Sequence, residues 1–189
     1  MRILDACAAP GGKSMAAALD AGGQCQLISC DLHEKKLRLI RGSADRLGLV
    51  DCLETLAADA RSFRPEWESA FDLVLADVPC SGLGVIRKRP EIRRKGEEEL
   101  QALPQIQSAI LDNLCRYVKP GGVLLYSTCT VLQAENRDRV SAFLNTHADF
   151  SAEDFSVGDI RSTDGCYDFW PQADGTDGFF AAKLRRKTI

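Results

Sequence analysis

Over residues 2–128 the chain alternates between short apolar runs of strand length and segments with helical periodicity. Apolar runs stand at 2–6 (RILDA), 26–31 (QLISCD), 52–58 (CLETLAA), 71–77 (FDLVLAD) and 122–128 (GVLLYST). Each has the length of a buried strand. Between them, 13–22 (KSMAAALDAG) runs into Gly22-Gly23, and 33–48 (HEKKLRLIRGSADRLG) places Leu37, Ile40, Ala44 and Leu47 on one stripe before Gly48. A third stripe, Ile110, Leu111, Leu114, Tyr117 and Val118, precedes Pro120-Gly121, with Pro104 either starting that helix or kinking a longer one. Strands linked through helices pair in parallel, with helices on both faces of the sheet. The expected fold is α/β and doubly wound. Beyond the fifth strand, 132–147 reads as a further helix, 151–177 as polar, glycine-bearing sequence, and 178–186 (GFFAAKLRR) as a last strand.

A chain of 189 residues with 45% hydrophobic and 27% charged residues fits one globular domain, here 1–189. No run approaches the roughly 18 apolar residues of a membrane span, and the first residues lack the layout of a secretory signal. A cytoplasmic protein without membrane partners is expected. Met1 stands a single residue ahead of the first strand, which reads as a fragment or a catalytic domain whose substrate-recognition portion is missing. Eight cysteines without a Cys-x-x-Cys pair, and only two histidines, argue for neither a disulfide scaffold nor a metal site. The net charge of −3 excludes a uniformly basic coat but leaves two basic patches. Residues 86–95 (IRKRPEIRRK) carry six Lys or Arg against one Glu, and 183–187 (KLRRK) carry four more.

Ligands of open α/β sheets bind beyond the carboxyl ends of the strands, where strand order reverses. The loop after the first strand, Cys7-Ala8-Ala9-Pro10-Gly11-Gly12-Lys13, offers small residues backed by a helix N-terminus. With Ser14 it nearly spells a phosphate-binding P-loop, and Asp77 is placed to act as a magnesium ligand. Cys7, however, stands in the place of the first glycine, and Pro10 removes an N–H donor from the cradle. Asp31, nineteen positions after Gly12, is spaced to accept hydrogen bonds from ribose hydroxyls, and Asp59 to face an adenine amino group. Together these describe a pocket for an adenosine with a free ribose, with a nucleoside triphosphatase as the competing reading.

Two further loops, ADVPCSGLG (76–84) and YSTCT (126–130), follow the fourth and fifth strands. Neighbouring strands lie about 4.8 Å apart, so Cys80 and Cys129 should meet over one crevice. Taken singly, each cysteine also reads as packing. A pair of thiols beside an adenosine pocket suits methyl transfer to a pyrimidine carbon: a thiolate adding at C6 turns C5 into a nucleophile toward the methyl of S-adenosylmethionine, and a second polar group assists release.

The ordered set DACAAPGGK, DLHEKKL, DVPCSGLG, YSTCT and DGFFAAKLRR resembles the RNA cytosine-5 methyltransferases, most closely the bacterial 16S rRNA branch called Sun, Fmu or RsmB. The resemblance implies a Rossmann-like S-adenosylmethionine-dependent methyltransferase fold whose last strand is antiparallel. It makes Cys129 the nucleophile and Cys80 the residue that supports release. It assigns Cys7, Ala8, Ala9, Pro10, Gly11, Gly12, Lys13, Asp31, Asp59 and Asp77 to the cofactor, and RNA, specifically ribosomal RNA, as the partner. Val78 departs from the alanine more usual in the family. The alternative is a truncated module that binds cofactor without transferring a methyl group. Residues 86–95, just downstream of Cys80, are the expected phosphate contacts, with the target base flipped out to reach the thiols.

Overall fold

The five apolar runs become five parallel strands in the computed structural model, which describes residues 1–188. In chain order the elements are β1 (Arg2–Asp5), α1 (Gly12–Asp20), β2 (Gln26–Asp31), α2 (Glu34–Leu47), β3 (Leu53–Ala57), β4 (Phe71–Asp77), α3 (Glu97–Leu114) and β5 (Val118–Thr128). They are followed by α4 (Arg137–Thr146), β6 (Phe150–Ala152), β7 (Ser156–Val157), β8 (Ile160–Arg161), β9 (Cys166–Phe169), α5 (Pro171–Asp174) and β10 (Phe179–Arg186). The main sheet runs β3-β2-β1-β4-β5-β10-β6, and β9 also pairs with β10. β10 lies antiparallel to β5, as expected of the last strand. β1 pairs with both β2 and β4, so the order reverses there and a crevice opens beyond the carboxyl ends of these strands.

Alternation along the strands divides the core between two faces. Ile3 and Leu27 point to α1 and α2, where Met15, Ala18, Leu37, Ile40 and Ala44 close one cluster. Leu4, Val74, Leu124 and Tyr126 point the other way, to Ile110, Leu111 and Leu114 of α3 and Val140 and Phe143 of α4. A side chain such as Leu124, wholly out of water, contributes about 2–3 kcal/mol by its burial. Cys30, Cys115 and Cys166 are buried among these apolar groups, and all eight cysteines are free.

Several expected boundaries move. α3 starts at Glu97 and carries Pro104 inside it, so the proline does not begin the helix. Three glutamates in its first turn complement the helix dipole, and burial of Leu103, Gln107 and Ile110 just beyond outweighs the lost N–H. Tyr117 and Val118 fall outside the helix, in a 3-10 turn and at the start of β5. α4 begins five residues after 132, because Gln133–Glu135 form a separate 3-10 turn. Leu47 is 41% exposed rather than part of the buried stripe. The stretch 151–177 contains β7, β8, β9, α5 and the end of β6, two-to-four-residue elements with no local periodicity to reveal them.

Candidate active site

Cys80 and Cys129 meet at the tips of β4 and β5. The register Asp77↔Ser127 brings the two strand ends level, and the sulfurs stand 3.2 Å apart. The Cys129 N–H donates to Cys80 Sγ at 3.3 Å. One residue further on, the hydroxyls of Ser81 and Thr130 are hydrogen-bonded at 2.6 Å. Behind them Gly84 N–H donates to the Cys129 carbonyl at 3.0 Å, and Gly178 N–H to the Gly84 carbonyl at 2.9 Å. The three loops pack backbone to backbone, and a Cβ at Gly84 would overlap the Gly178 carbonyl.

The two thiols titrate as a unit with unequal members. Hydrogen bonding from Cys80, opposed by burial, brings the Cys129 thiol down to about 7; the Asp77 carboxylate pushes it up and Lys13 draws it down. Cys80 moves up strongly, through its bond to Cys129 and then through burial. The hydrogen bond across the pair thus acts in opposite directions on its two members, favouring ionisation of Cys129 and disfavouring that of Cys80. Both sulfurs border a cleft of about 450 Å³, with Arg89, Arg94 and Lys95 along its wall.

A second cavity, about 280 Å³, is lined in part by Pro79, the residue before Cys80. Cys7, Asp31 and Asp59 line it, facing the apolar surface of Ile106 and Ile110 from α3. Asp31 Oδ1 accepts the His33 N–H at 2.9 Å, while Oδ2 accepts no hydrogen bond from the described residues. Asp59 is clasped by Arg61 at 2.7 Å, which holds its carboxyl below the usual carboxylate range. Burial, with Asp5 and Asp77 nearby, pushes the Cys7 thiol far up, so it stays protonated and inert. The chain enters α1 through Gly11 at φ 110°, where a side chain would press on Ile40 at 3.3 Å. α1 has no side-chain cap at its N-terminus, so its first amides are available to an anion.

Ser14, which a P-loop would present to magnesium, is fully buried. Its hydroxyl donates to Asp5 Oδ2 at 2.7 Å and accepts from Ser29 at 2.8 Å. Burial raises the Asp5 carboxyl to about 6, against the Ser14 hydrogen bond. The folded chain thus binds this proton more tightly than the unfolded one. Stability falls as pH rises from about 4 to about 6, and the ionised group costs about 3 kcal/mol above that window. Asp5→Asn, which keeps an acceptor for Ser14, is expected to flatten that decline in urea unfolding measured across the same pH range; an unchanged profile would contradict it.

Of the residues expected to touch a cofactor, Cys7, Asp31 and Asp59 come together in the smaller cavity. Ala8, Ala9, Pro10 and Gly11 form the turn leading into α1 and Gly12 opens the helix; none of the five is among the cavity's lining residues. Lys13 and Asp77 pair with each other at 2.7 Å, and the Ser127 hydroxyl donates to the other Asp77 oxygen at 2.7 Å. Both act on Cys129 electrostatically.

The basic patches part ways. Lys183 and Arg185 are paired with Glu153, and Arg186 with Asp149 at 3.0 Å, so 183–187 is tied into the fold. Arg87 and Lys88 pair with Asp177 at 3.3 and 2.6 Å. Arg89, Arg93 and Arg94 form no ion pair among the described residues. Trp67 and Phe180 pack in the core, whereas Trp170 is 41% exposed. Sequence reading missed Ile106, Ile110 and Arg61 at the smaller cavity. The α3 pair carries only a core-stripe signal, and Arg61, two residues after Asp59, was the one locally visible neighbour.

An open sheet reversing at β1, with a cavity at that reversal and a thiol pair beside it, is an architecture of the Rossmann-like methyltransferase fold. A family model described as 16S rRNA methyltransferase RsmB/F matches residues 1–185, and the chain belongs to that family. It is 41% identical to the "Probable ribosomal RNA small subunit methyltransferase B" of Bacillus subtilis, over 98% of this chain and 43% of that protein. It is 40% identical to the "Ribosomal RNA small subunit methyltransferase B" of Shewanella oneidensis, over 98% of this chain and 43% of the other. The chain thus spans less than half the length of these relatives. Among solved structures, NSun6 from Pyrococcus horikoshii with SFG superposes with a TM-score of 0.86 at 31% identity, covering 99% of this chain and 48% of that one. No helix among the described residues is long and apolar enough to cross a membrane.

Proposed function

We propose that this chain is the catalytic domain of a cytoplasmic enzyme that transfers a methyl group from S-adenosylmethionine to C5 of a cytosine in small-subunit ribosomal RNA. The observation that carries this reading is the Cys80–Cys129 pair, 3.2 Å apart and bordering a cleft next to the Asp31–Asp59 cavity. The residues present fit the cofactor: Asp31 Oδ2 is left free for ribose hydroxyls, Ile106 and Ile110 offer an apolar wall for adenine, and the uncapped start of α1 suits a carboxylate. Bound there, S-adenosylmethionine supplies a methyl group made electrophilic by its cationic sulfonium.

The chain's own residues do the rest. Cys129 attacks as thiolate at C6 of the cytosine, forming a carbon–sulfur bond that sends electron density to C5. Lys13 and the Cys80 S–H keep that thiolate populated at neutral pH. After C5 is methylated and its proton is lost to a general base, elimination expels Cys129 as thiolate, and Cys80 receives it as a hydrogen-bond donor. A base stacked inside a duplex cannot bring its ring carbons to a thiol at the strand tips, so the target nucleotide is unpaired or flipped.

The RNA phosphates are assigned to Arg89 and Arg94, which border the cleft without ion-pair partners among the described residues. Arg89→Glu with Arg94→Glu is expected to weaken binding of a 16S rRNA transcript and to lower its salt dependence by about two in log–log slope, leaving cofactor affinity unchanged. The reading as a whole is tested by incubating the protein with labelled S-adenosylmethionine and 16S rRNA, then mapping 5-methylcytosine. Cofactor binding with transfer to no RNA would support the alternative of a module without productive substrate binding.

A further inference from the structure

We propose that Glu135 and Gln107 act together as positioning residues that hold Cys80 against Cys129. Neither residue belongs to the loops that carry the thiols. Glu135 sits in the 3-10 turn before α4, and Gln107 in the middle of α3. Both are buried, at 1% and 0% exposure. Glu135 has no basic partner among the described residues, and a buried carboxylate without one is costly unless hydrogen bonds replace it.

What it holds is the backbone on either side of Cys80. Glu135 Oε2 accepts the Ser81 N–H at 2.9 Å and the Gln107 side-chain amide at 2.8 Å. The same Gln107 amide donates to the Pro79 carbonyl at 3.0 Å. The peptide units before and after Cys80 are therefore clamped from one buried pair. The turn carrying Glu135 is itself fixed, since the Tyr126 hydroxyl donates to the Glu135 carbonyl at 2.6 Å. Glu135 Oε1 and Gln107 Oε1 are buried and accept nothing, so the pair leaves part of its hydrogen-bonding capacity unused in this geometry. Groups left that way in a core merit a functional account, and placement of the Cys80 sulfur supplies one.

The inference rests on the reading of Cys80 and Cys129 as the reacting pair, and its consequence can be read without RNA. The Cys80 sulfur, 3.2 Å away, is the largest influence drawing the Cys129 thiol down toward about 7; the other charged groups acting on it, Asp77 and Lys13, make no hydrogen bond or ion pair with Glu135. Peptide-resolved alkylation of Cys129 by iodoacetamide across pH measures this directly. The wild-type midpoint is expected near 7, and Cys80→Ala should move it toward the ordinary thiol value of 9. Glu135→Ala should move it the same way, and Glu135→Gln, which keeps an acceptor oxygen for Ser81, should restore it. Gln107→Leu provides the same test should Glu135→Ala fail to fold, with S-adenosylmethionine binding as the check on each variant. A midpoint displaced by Cys80→Ala but not by Glu135→Ala or Gln107→Leu overturns the positioning role. A midpoint indifferent to Cys80→Ala instead overturns the thiol-pair reading beneath it.

Discussion

Cys129→Ala is expected to lose at least about a thousandfold in methyl transfer, the scale of removing a covalent nucleophile, while S-adenosylmethionine still binds. The Cys129 sulfur contributes no wall to the Asp31–Asp59 cavity, so the loss should appear in turnover and not in cofactor affinity. Cys80→Ala should fail differently. Attack by Cys129 remains possible, but the departing thiolate no longer finds the S–H that stood 3.2 Å away, and elimination becomes the slow step. RNA should then stay bound to the protein through a denaturing gel, and that adduct should vanish in the Cys80→Ala, Cys129→Ala double variant. An adduct formed by Cys129→Ala and absent from Cys80→Ala would reverse the two roles.

Gly84→Ala should be the most damaging single methyl group that can be added near the site. The new Cβ would overlap the Gly178 carbonyl and approach the Cys129 carbonyl oxygen at 2.9 Å. Both obstacles are backbone, so no rotamer change relieves them, and the cost falls at the upper end of overpacking, about 3 kcal/mol or more. For a chain of this size that corresponds to a fall in Tm of about 6 to 12 °C. The Gly84 N–H also holds the Cys129 carbonyl at 3.0 Å, so methyl transfer should suffer beyond what the lost stability explains, with the Asp31–Asp59 cavity intact. A variant with wild-type melting and wild-type turnover would show that the three loops do not pack as described. By comparison Gly12, where a Cβ would meet nothing within 4 Å, should accept alanine with little effect on melting.

Periodicity in the sequence carried the parallel strands and the helices between them, because a strand or helix that buries one face must repeat its apolar residues at 2 or 3.6 positions. The glycine loop, Asp31 and the two cysteine loops were visible for the same local reason: each lies at a strand end that the alternation marks. That β10 runs antiparallel followed from resemblance, and the four short strands β6 to β9 were not legible at all. Only β6 and β9 pair with β10, as in Leu184↔Ala152 and Ala182↔Cys166, while β7 and β8 pair with each other, and strands of two to four residues hold no period.

What tertiary structure alone decided is electrical and geometric. Sequence placed two thiols at neighbouring strand tips; only packing set them 3.2 Å apart, and only unequal surroundings made one acidic and the other not. Likewise 86–95 and 183–187 are both basic as strings, yet Glu153 and Asp149 tie down the second while three arginines of the first find no ion-pair partner among the described residues. Glu135 and Gln107, 55 and 27 residues from Cys80 in the chain, carry no motif that links them to it. Charge, proton affinity and position depend on which groups are neighbours in space, and a linear order of residues fixes that only after the chain has closed its loops.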